Sequence, residues 1–185
     1  MKLEIFEFID DSIDLLLKHH SIYESCARKL ERFFTDSFSW KESFLNVKTR
    51  IKSEDSLREK ILRQNLFTEY FTPQEMMDDL PDIIGLRIEC RFIEEEKEIY
   101  ESLCAMFTEE MEDGFFASEF NEGIRLALST PQPQIQKNGF EIYKIDGKIW
   151  TEMMTIHFEL QIKSMVNVFW GEIDHKVLYK NYNYM

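Results

Sequence analysis

The chain has 185 residues, 44% of them hydrophobic and 16 of them Phe, which is enough for one buried core and too apolar for a disordered chain. Its net charge of −13, from 22 Lys and Arg against 35 Asp and Glu, argues against a broad basic face, so DNA is not an expected partner. No apolar run nears the ~20 residues of a membrane span, and the acidic start MKLEIFEFIDD has no signal-peptide pattern.

Three cysteines (Cys26, Cys90 and Cys104) without CxxC spacing read as reduced cytoplasmic thiols, not as a zinc site. No repeat or Pro/Gly-rich linker interrupts the chain, so one domain is expected, with residues 1–45 as helices packed on a domain of residues 46–185.

In chain order, residues 1–45 have helical spacing, and Ser21 with Glu24 three positions on is a capping-box signal that divides them into two helices. Residues 47–52 look extended. A helix over 54–67 follows, with Ser53 as N-cap, and Thr72-Pro73-Gln74-Glu75 starts another. The period then changes to two: Ile84, Leu86, Ile88, Cys90 and Phe92 alternate with Gly85, Arg87, Glu89 and Arg91, which predicts a half-buried strand. EEEKEIYESLCAMFTEE returns to helical spacing. GIRLALS and GFEIYKI read as strands separated by a Pro- and Gln-bearing loop, and a turn at Gly147 leads into the long strand TEMMTIHFELQIKS. From Met165 a helix carries Phe169, Trp170, Ile173 and Val177 as an apolar stripe that would close the core. Helices first, then four strands with interspersed helices, predict an α/β or α+β fold with a mostly antiparallel or mixed sheet.

The charge is unevenly spread. From Lys48 to Arg63 there are six basic residues against three acidic, a positive island in an acidic chain. Arg50 and Lys52 are two apart on an extended segment and point the same way. Ser56, Lys60 and Arg63 share one face of the helix that follows, whose N-terminus already favours anions. From spacing alone a solvated basic helix face is the simpler reading; as a binding site, such an island suits a compact polyphosphate better than a long nucleic acid. Asp82 and Glu159 belong to strands that, if adjacent, would hold Mg²⁺ against substrate phosphates. His175 lies one residue from Asp174 in an aromatic helix, where a role in core packing is the simpler reading.

Taken in order, these pieces resemble the synthetase domain of the RelA/SpoT family, which makes the alarmones pppGpp and ppGpp. The likeness runs from about residue 45 to the C-terminus. It rests on R-x-K-x-x-x-S-x-x-x-K (Arg50, Lys52, Ser56, Lys60), D-x-x-G-x-R (Asp82, Gly85, Arg87), N-G-aromatic (Asn138, Gly139, Phe140), E-x-Q-x-K-S (Glu159, Gln161, Lys163, Ser164) and W-x-x-x-D-H-x-x-x-Y-K (Trp170, Asp174, His175, Tyr179, Lys180).

The resemblance implies a nucleotidyltransferase-like mixed sheet flanked by helices. It also implies transfer of ATP's β,γ-pyrophosphate to the 3′-hydroxyl of GDP or GTP, with release of AMP. In that scheme Arg50, Lys52, Ser56, Lys60 and Arg87 hold ATP. Asp82 and Glu159 bind Mg²⁺, and Glu159 shares the metal or takes the proton. Lys137, Asn138, Phe140, Gln161, Lys163 and His175 serve the acceptor. There is no room for the hydrolase and regulatory domains of long members, so the chain reads as a small synthetase, with a homo-oligomer as an open expectation.

The acceptor side departs from the family pattern. Phe140 replaces the guanine-stacking Tyr, Ile142 and Lys144 fill the Ser and His positions, and Lys137 is one place from the phosphate-binding Lys. These departures keep two alternatives in view. One is a pyrophosphokinase with another acceptor, such as an adenine nucleotide or the 3′ end of tRNA. The other is a catalytically degenerate nucleotide-binding module.

Overall fold

A computed structural model describes residues 2–119, 121–136 and 139–174. Two helices open the chain, α1 (Lys2–Lys18) and α2 (His20–Phe38). They part at His19, not at the Ser21 cap that the sequence signals, and Ser21 lies inside α2. No side chain is needed at this joint, because the His19 N–H donates to Leu15 O and its carbonyl accepts from Ile22 and Tyr23.

Strand β1 (Phe44–Ile51) leads to α3 (Glu54–Gln64), where Ser53 accepts from the Ser56 N–H as the expected N-cap. Asn65 in the left-handed region (φ 56°) ends α3, so the predicted single helix over 54–67 divides into α3 and the short α4 (Leu66–Glu69). Thr72 and Glu75 form the predicted capping box at α5 (Pro73–Asp79).

Next come β2 (Ile84–Cys90), α6 (Ile93–Met106), β3 (Phe107–Glu110), β4 (Phe116–Ser118), β5 (Asn121–Leu126), β6 (Gln134–Ile135), β7 (Glu141–Trp150), β8 (Thr155–Ser164) and α7 (Met165–Asp174). Among the described residues there are thus eight strands: the extended segment 47–52 belongs to β1, the four periodic segments give β2, β5, β7 and β8, and β3, β4 and β6 are additional. The segment 107–110 is strand and not the end of a helix, because buried Phe107 packs on Phe33 and Phe34 while β3 pairs with β4.

The main sheet runs β1-β2-β8-β7-β5-β4-β3, with β6 pairing the start of β7. Among the described residues only β2 and β8 are parallel; every other pair is antiparallel. One sheet face is apolar. Ile84, Leu86 and Ile88 of β2 and Phe158, Leu160 and Ile162 of β8 join Leu30 and Phe34 of α2, Leu57 and Ile61 of α3, Met76 of α5 and Ile99 and Leu103 of α6 in one buried cluster. The other face of β1, β2, β8 and β7 carries the charged residues.

Gly147 makes no turn. It sits inside β7 opposite Phe158, and a Cβ there would come within 2.3 Å of the Phe158 ring. The turn lies beyond β7, where Thr151 Oγ1 accepts from the Met153 and Met154 N–H groups. The last helix begins at Met165 as expected, but Phe169 and Trp170 are 61% and 51% exposed and so do not close the core. Val177, like His175, lies outside the described residues.

Gly147→Ala should lower stability by about 1–3 kcal/mol, because the fully buried Phe158 ring has nowhere to move. Urea denaturation followed by circular dichroism would show this as a lower midpoint with an unchanged slope.

Candidate active site

Strand register builds the site. Cα partners across neighbouring strands point their side chains to the same face, so the pairing of β1, β2, β8 and β7 sorts the polar residues into rows. One row is Arg50, Gly85, Glu159, Asp146; the next is Lys48, Arg87, Gln161, Lys144. Beyond them Glu89 stands beside Lys163. A cleft of about 220 Å³ lies over these rows, lined by Lys48, Arg50, Gly85, Arg87, Glu159 and Gln161 among others.

Gly85 is where a side chain would obstruct the cleft. Its missing Cβ would sit 3.0 Å from Arg50 Nε and 3.1 Å from Arg50 Cγ, so the Arg50 side chain crosses the β2 backbone through the gap glycine leaves.

Asp82 lies just before β2, at the end of these rows. Its carboxylate accepts from Lys60 Nζ through Oδ1 and from Lys52 Nζ through Oδ2, both at 2.8 Å. The three side chains are 26%, 12% and 10% exposed for Asp82, Lys60 and Lys52. Burial alone would push the Asp82 carboxyl up, but the two ammonium hydrogen bonds outweigh it and hold it below the usual carboxylate value. Lys52 is fixed here because its N–H donates to Ile83 O, extending the β1–β2 ladder by one bond.

Glu159, in the middle of β8, accepts from Lys144 Nζ at 2.7 Å and from Gln161 Nε2. Burial would lower the Lys144 ammonium, but Glu159, Asp146 and Asp82 together raise it, so this lysine stays charged. Its backbone is pinned by Gln132, whose amide accepts from Lys144 N and donates to Lys144 O. Desolvation raises the Asp146 carboxyl, and the nearby Glu159 charge adds to that rise.

The basic residues thus fall into two groups. Lys48 spends its charge on buried Glu89, with both contacts at 2.9 Å, and Arg87 lies 3.6 Å from the same carboxylate. Lys52, Lys60 and Lys144 are paired with acids as above. Among the described residues Arg50 and Lys163 have no hydrogen-bond or ion-pair partner. Burial lowers the Lys163 ammonium, and the neighbouring Arg87 charge lowers it further. Arg50 lines the cleft and Lys163 stands one row beyond it, and a cation without an ion-pair partner is where a polyphosphate gains most.

Lys163 lines a second hollow of about 150 Å³, shared with Gln136, Phe140, Glu141, Ile142, Asn167, Trp170 and Gly171. Gly139, at φ +84°, turns the chain between β6 and β7 so that half-exposed Phe140 faces this hollow.

Most residues expected from the sequence therefore converge: Asp82, Glu159, Arg50, Lys52, Lys60, Arg87, Gln161 and Lys163 around one face, and Phe140 beside it. Ser56 is exposed at the start of α3, 2.9 Å from Ser53 Oγ, and like Lys52, Lys60 and Asp82 it is not among the residues that line the cleft. Lys137, Asn138 and His175 lie outside the described residues. Sequence reasoning did not place Lys144 and Asp146 at the centre. Their signal was the alternation of Lys144, Asp146 and Lys148 with Ile145 and Gly147, once that glycine is read as strand.

Among the described residues no three His, Cys, Asp or Glu side chains form a metal cluster. Asp82 and Glu159 nevertheless suit a magnesium ion carried in by a nucleotide. They are hard oxygen donors on one face, two in number, and Mg²⁺ commonly takes one or two carboxylates and fills its shell with phosphate and water.

Comparison with known proteins decides the family. The model described as the region found in RelA / SpoT proteins matches residues 49–184. The chain belongs to the RelA/SpoT family. It is 25% identical over 140 residues to GTP pyrophosphokinase YwaC of Bacillus subtilis (strain 168), a match covering 73% of this chain and 58% of that protein. The chain thus spans less than two thirds of that relative.

In fold, this RelA/SpoT member is similar to small alarmone synthetase 1 of Bacillus subtilis bound to its product pppGpp, with TM-score 0.62 and 20% identity over 85% of this chain and 76% of that one. It is also similar to a GTP pyrophosphokinase family protein of Streptococcus pneumoniae, with TM-score 0.55 and 24% identity over 97% and 79%. These likenesses establish the mixed α/β architecture as that of a small alarmone synthetase.

The Asp82 clasp makes stability depend on pH with a definite sign. A carboxyl depressed in the fold stabilises fully above its unfolded value, near ~3.9, and loses that contribution as pH falls through the lower folded value. Subtracting melting curves of Asp82→Asn from wild type should leave a difference that is constant above pH 5 and shrinks in acid; a difference independent of pH would contradict the clasp.

Proposed function

We propose that this RelA/SpoT member transfers the β,γ-pyrophosphoryl group of ATP to the 3′-hydroxyl of GDP or GTP. The observation that carries the reading is the row Arg50, Gly85, Glu159, Asp146: a cation free for phosphate, a gap over the backbone and a carboxylate base, side by side.

The triphosphate lies over Gly85, with Arg50 and Arg87 on its oxygens. Lys52 and Lys60 turn from Asp82 toward the phosphates when the nucleotide arrives. Asp82 and Glu159 would hold a magnesium ion, which would neutralise the charge that develops on the transferring group. Glu159 takes the proton of the acceptor 3′-hydroxyl as its oxygen bonds to the β-phosphorus. The bond from that phosphorus to the oxygen bridging to the α-phosphorus breaks, and AMP leaves with the bridging oxygen. Gln161 and Lys144 hold the Glu159 carboxylate in place.

The acceptor base enters the hollow beside Phe140, whose ring stacks without the help of a hydroxyl. Lys163, Lys137, Asn138 and His175 serve the acceptor, and Ser56 serves ATP, in the roles the family likeness implies. The protein works in the cytoplasm, where Cys26, Cys90 and Cys104 stay free thiols.

One departure favours a second reading. Lys144 stands where the family has His and is committed to Glu159, which leaves the acceptor's identity open to a nucleotide other than guanine.

Incubation with labelled ATP, Mg²⁺ and a panel of GDP, GTP, ADP and tRNA separates the readings. Label on GDP or GTP with stoichiometric AMP is the expected result. Label on another acceptor alone supports the second reading, and no AMP with any acceptor defeats both. Glu159→Gln should lower kcat by about 10²–10⁴-fold, the range for removing a general base.

A further inference from the structure

Glu96 is a carboxylate that the reaction above does not use, and it is only 3% exposed. It lies in the first turn of α6, yet its hydrogen bonds go elsewhere. Oε1 accepts from the Ser164 backbone N–H at 2.6 Å and from Asn167 Nδ2 at 2.7 Å, across 68 and 71 residues of sequence. Both donors stand where β8 becomes α7 with no loop between them. A helix that begins directly off a buried strand end leaves N–H groups without intrahelical partners. Ser164 Oγ accepts one of them, from Asn167 N at 3.3 Å, and Glu96 supplies the other acceptor together with a negative charge at the helix start.

Among the described side chains of α7, Met165, Val166, Phe169 and Trp170 are exposed and Val168 is half-buried, so at the start of the helix the polar tether is the main anchor. The direction of α7 matters, because Asn167, Trp170 and Gly171 form one wall of the hollow whose other walls are Phe140, Ile142 and Lys163.

We propose that Glu96 is the positioning residue of the acceptor pocket, a buried strut from α6 that sets the distance of the α7 wall from Phe140. This rests on the reading of that hollow as the acceptor site. Glu96 touches no substrate. It acts through Ser164 and Asn167, and its loss lets the wall move while the donor cleft, built on β1, β2 and β8, keeps its shape.

The test uses the full chain with Glu96→Ala and Glu96→Gln. GDP and a non-hydrolysable ATP analogue with Mg²⁺ are titrated by calorimetry, and amide exchange is followed over residues 164–171. In Glu96→Ala, GDP affinity should fall about tenfold or more, the loss expected when a charge-assisted hydrogen-bond pair is removed, with the ATP-analogue affinity within about twofold of wild type. Exchange at 164–171 should quicken. Glu96→Gln keeps a carbonyl oxygen for both donors and should restore GDP affinity to within about threefold.

Equal losses of both affinities, or unchanged GDP affinity in Glu96→Ala, would overturn the proposal, as would unaltered exchange over 164–171. If wild type binds the ATP analogue but no guanine nucleotide, the assignment of the hollow to an acceptor base fails and the acceptor role of Glu96 fails with it. Quickened exchange in Glu96→Ala would then still show that the carboxylate holds α7.

Discussion

Everything at this site depends on one strand pairing. β2 and β8 are parallel neighbours, and their register sets Gly85 beside Glu159 and Arg87 beside Gln161. The two strands are separated in sequence by α6 and by five other strands, so nothing local brings them together. The pairing is held by burial. Ile84, Leu86, Ile88, Phe158, Leu160 and Ile162 all face the core at 2% exposure or less. A slip of one residue would send those six side chains to solvent and bring the charged set inside, so the core that stabilises the sheet also fixes the geometry of the charges.

The charges themselves are arranged as a balance that a ligand would tip. Four lysines around the cleft are matched by carboxylates: Lys48 by Glu89, Lys52 and Lys60 by Asp82, Lys144 by Glu159. This pairing lets a chain of net charge −13 keep a dense positive patch partly buried without leaving its ammonium groups uncompensated. Arg50 and Lys163 stand outside the balance, one over Gly85 and one beside the second hollow. On the proposed reading, a polyphosphate entering between them would gain two charge-assisted contacts without first breaking an ion pair.

Much of the arrangement was legible in the sequence, and the parts that were not have physical causes. The β2 and β8 strands announced themselves by strict alternation, and the caps at Ser53 and Thr72 by side-chain chemistry that acts within three residues. The basic island came from uneven charge, while the joining of Asp82 and Glu159 to it came from motif order, which reports an arrangement in space that spacing alone cannot. Gly147 was misread because glycine signals both turns and close approach; only Phe158, eleven positions on, tells which. Ser21 was misread because His19 O takes over the bonding at the break between α1 and α2. The short strands β3, β4 and β6 have too few residues to show a period. Lys144 and Asp146 looked like ordinary strand charges, since their importance comes from facing Glu159 and Gln161 across a long-range pair. The exposed aromatics of α7 read as core because an apolar stripe does not say what it faces.

The most direct measurement of the central claim is a crystal structure of the chain with a non-hydrolysable ATP analogue and Mg²⁺. The account predicts the triphosphate lying across Gly85, with Arg50 on its oxygens, Asp82 and Glu159 on the metal, and Lys52 and Lys60 turned from Asp82 to phosphate. A nucleotide seated elsewhere, or Asp82 still clasped by both lysines with Arg50 directed away from the phosphates, would contradict it.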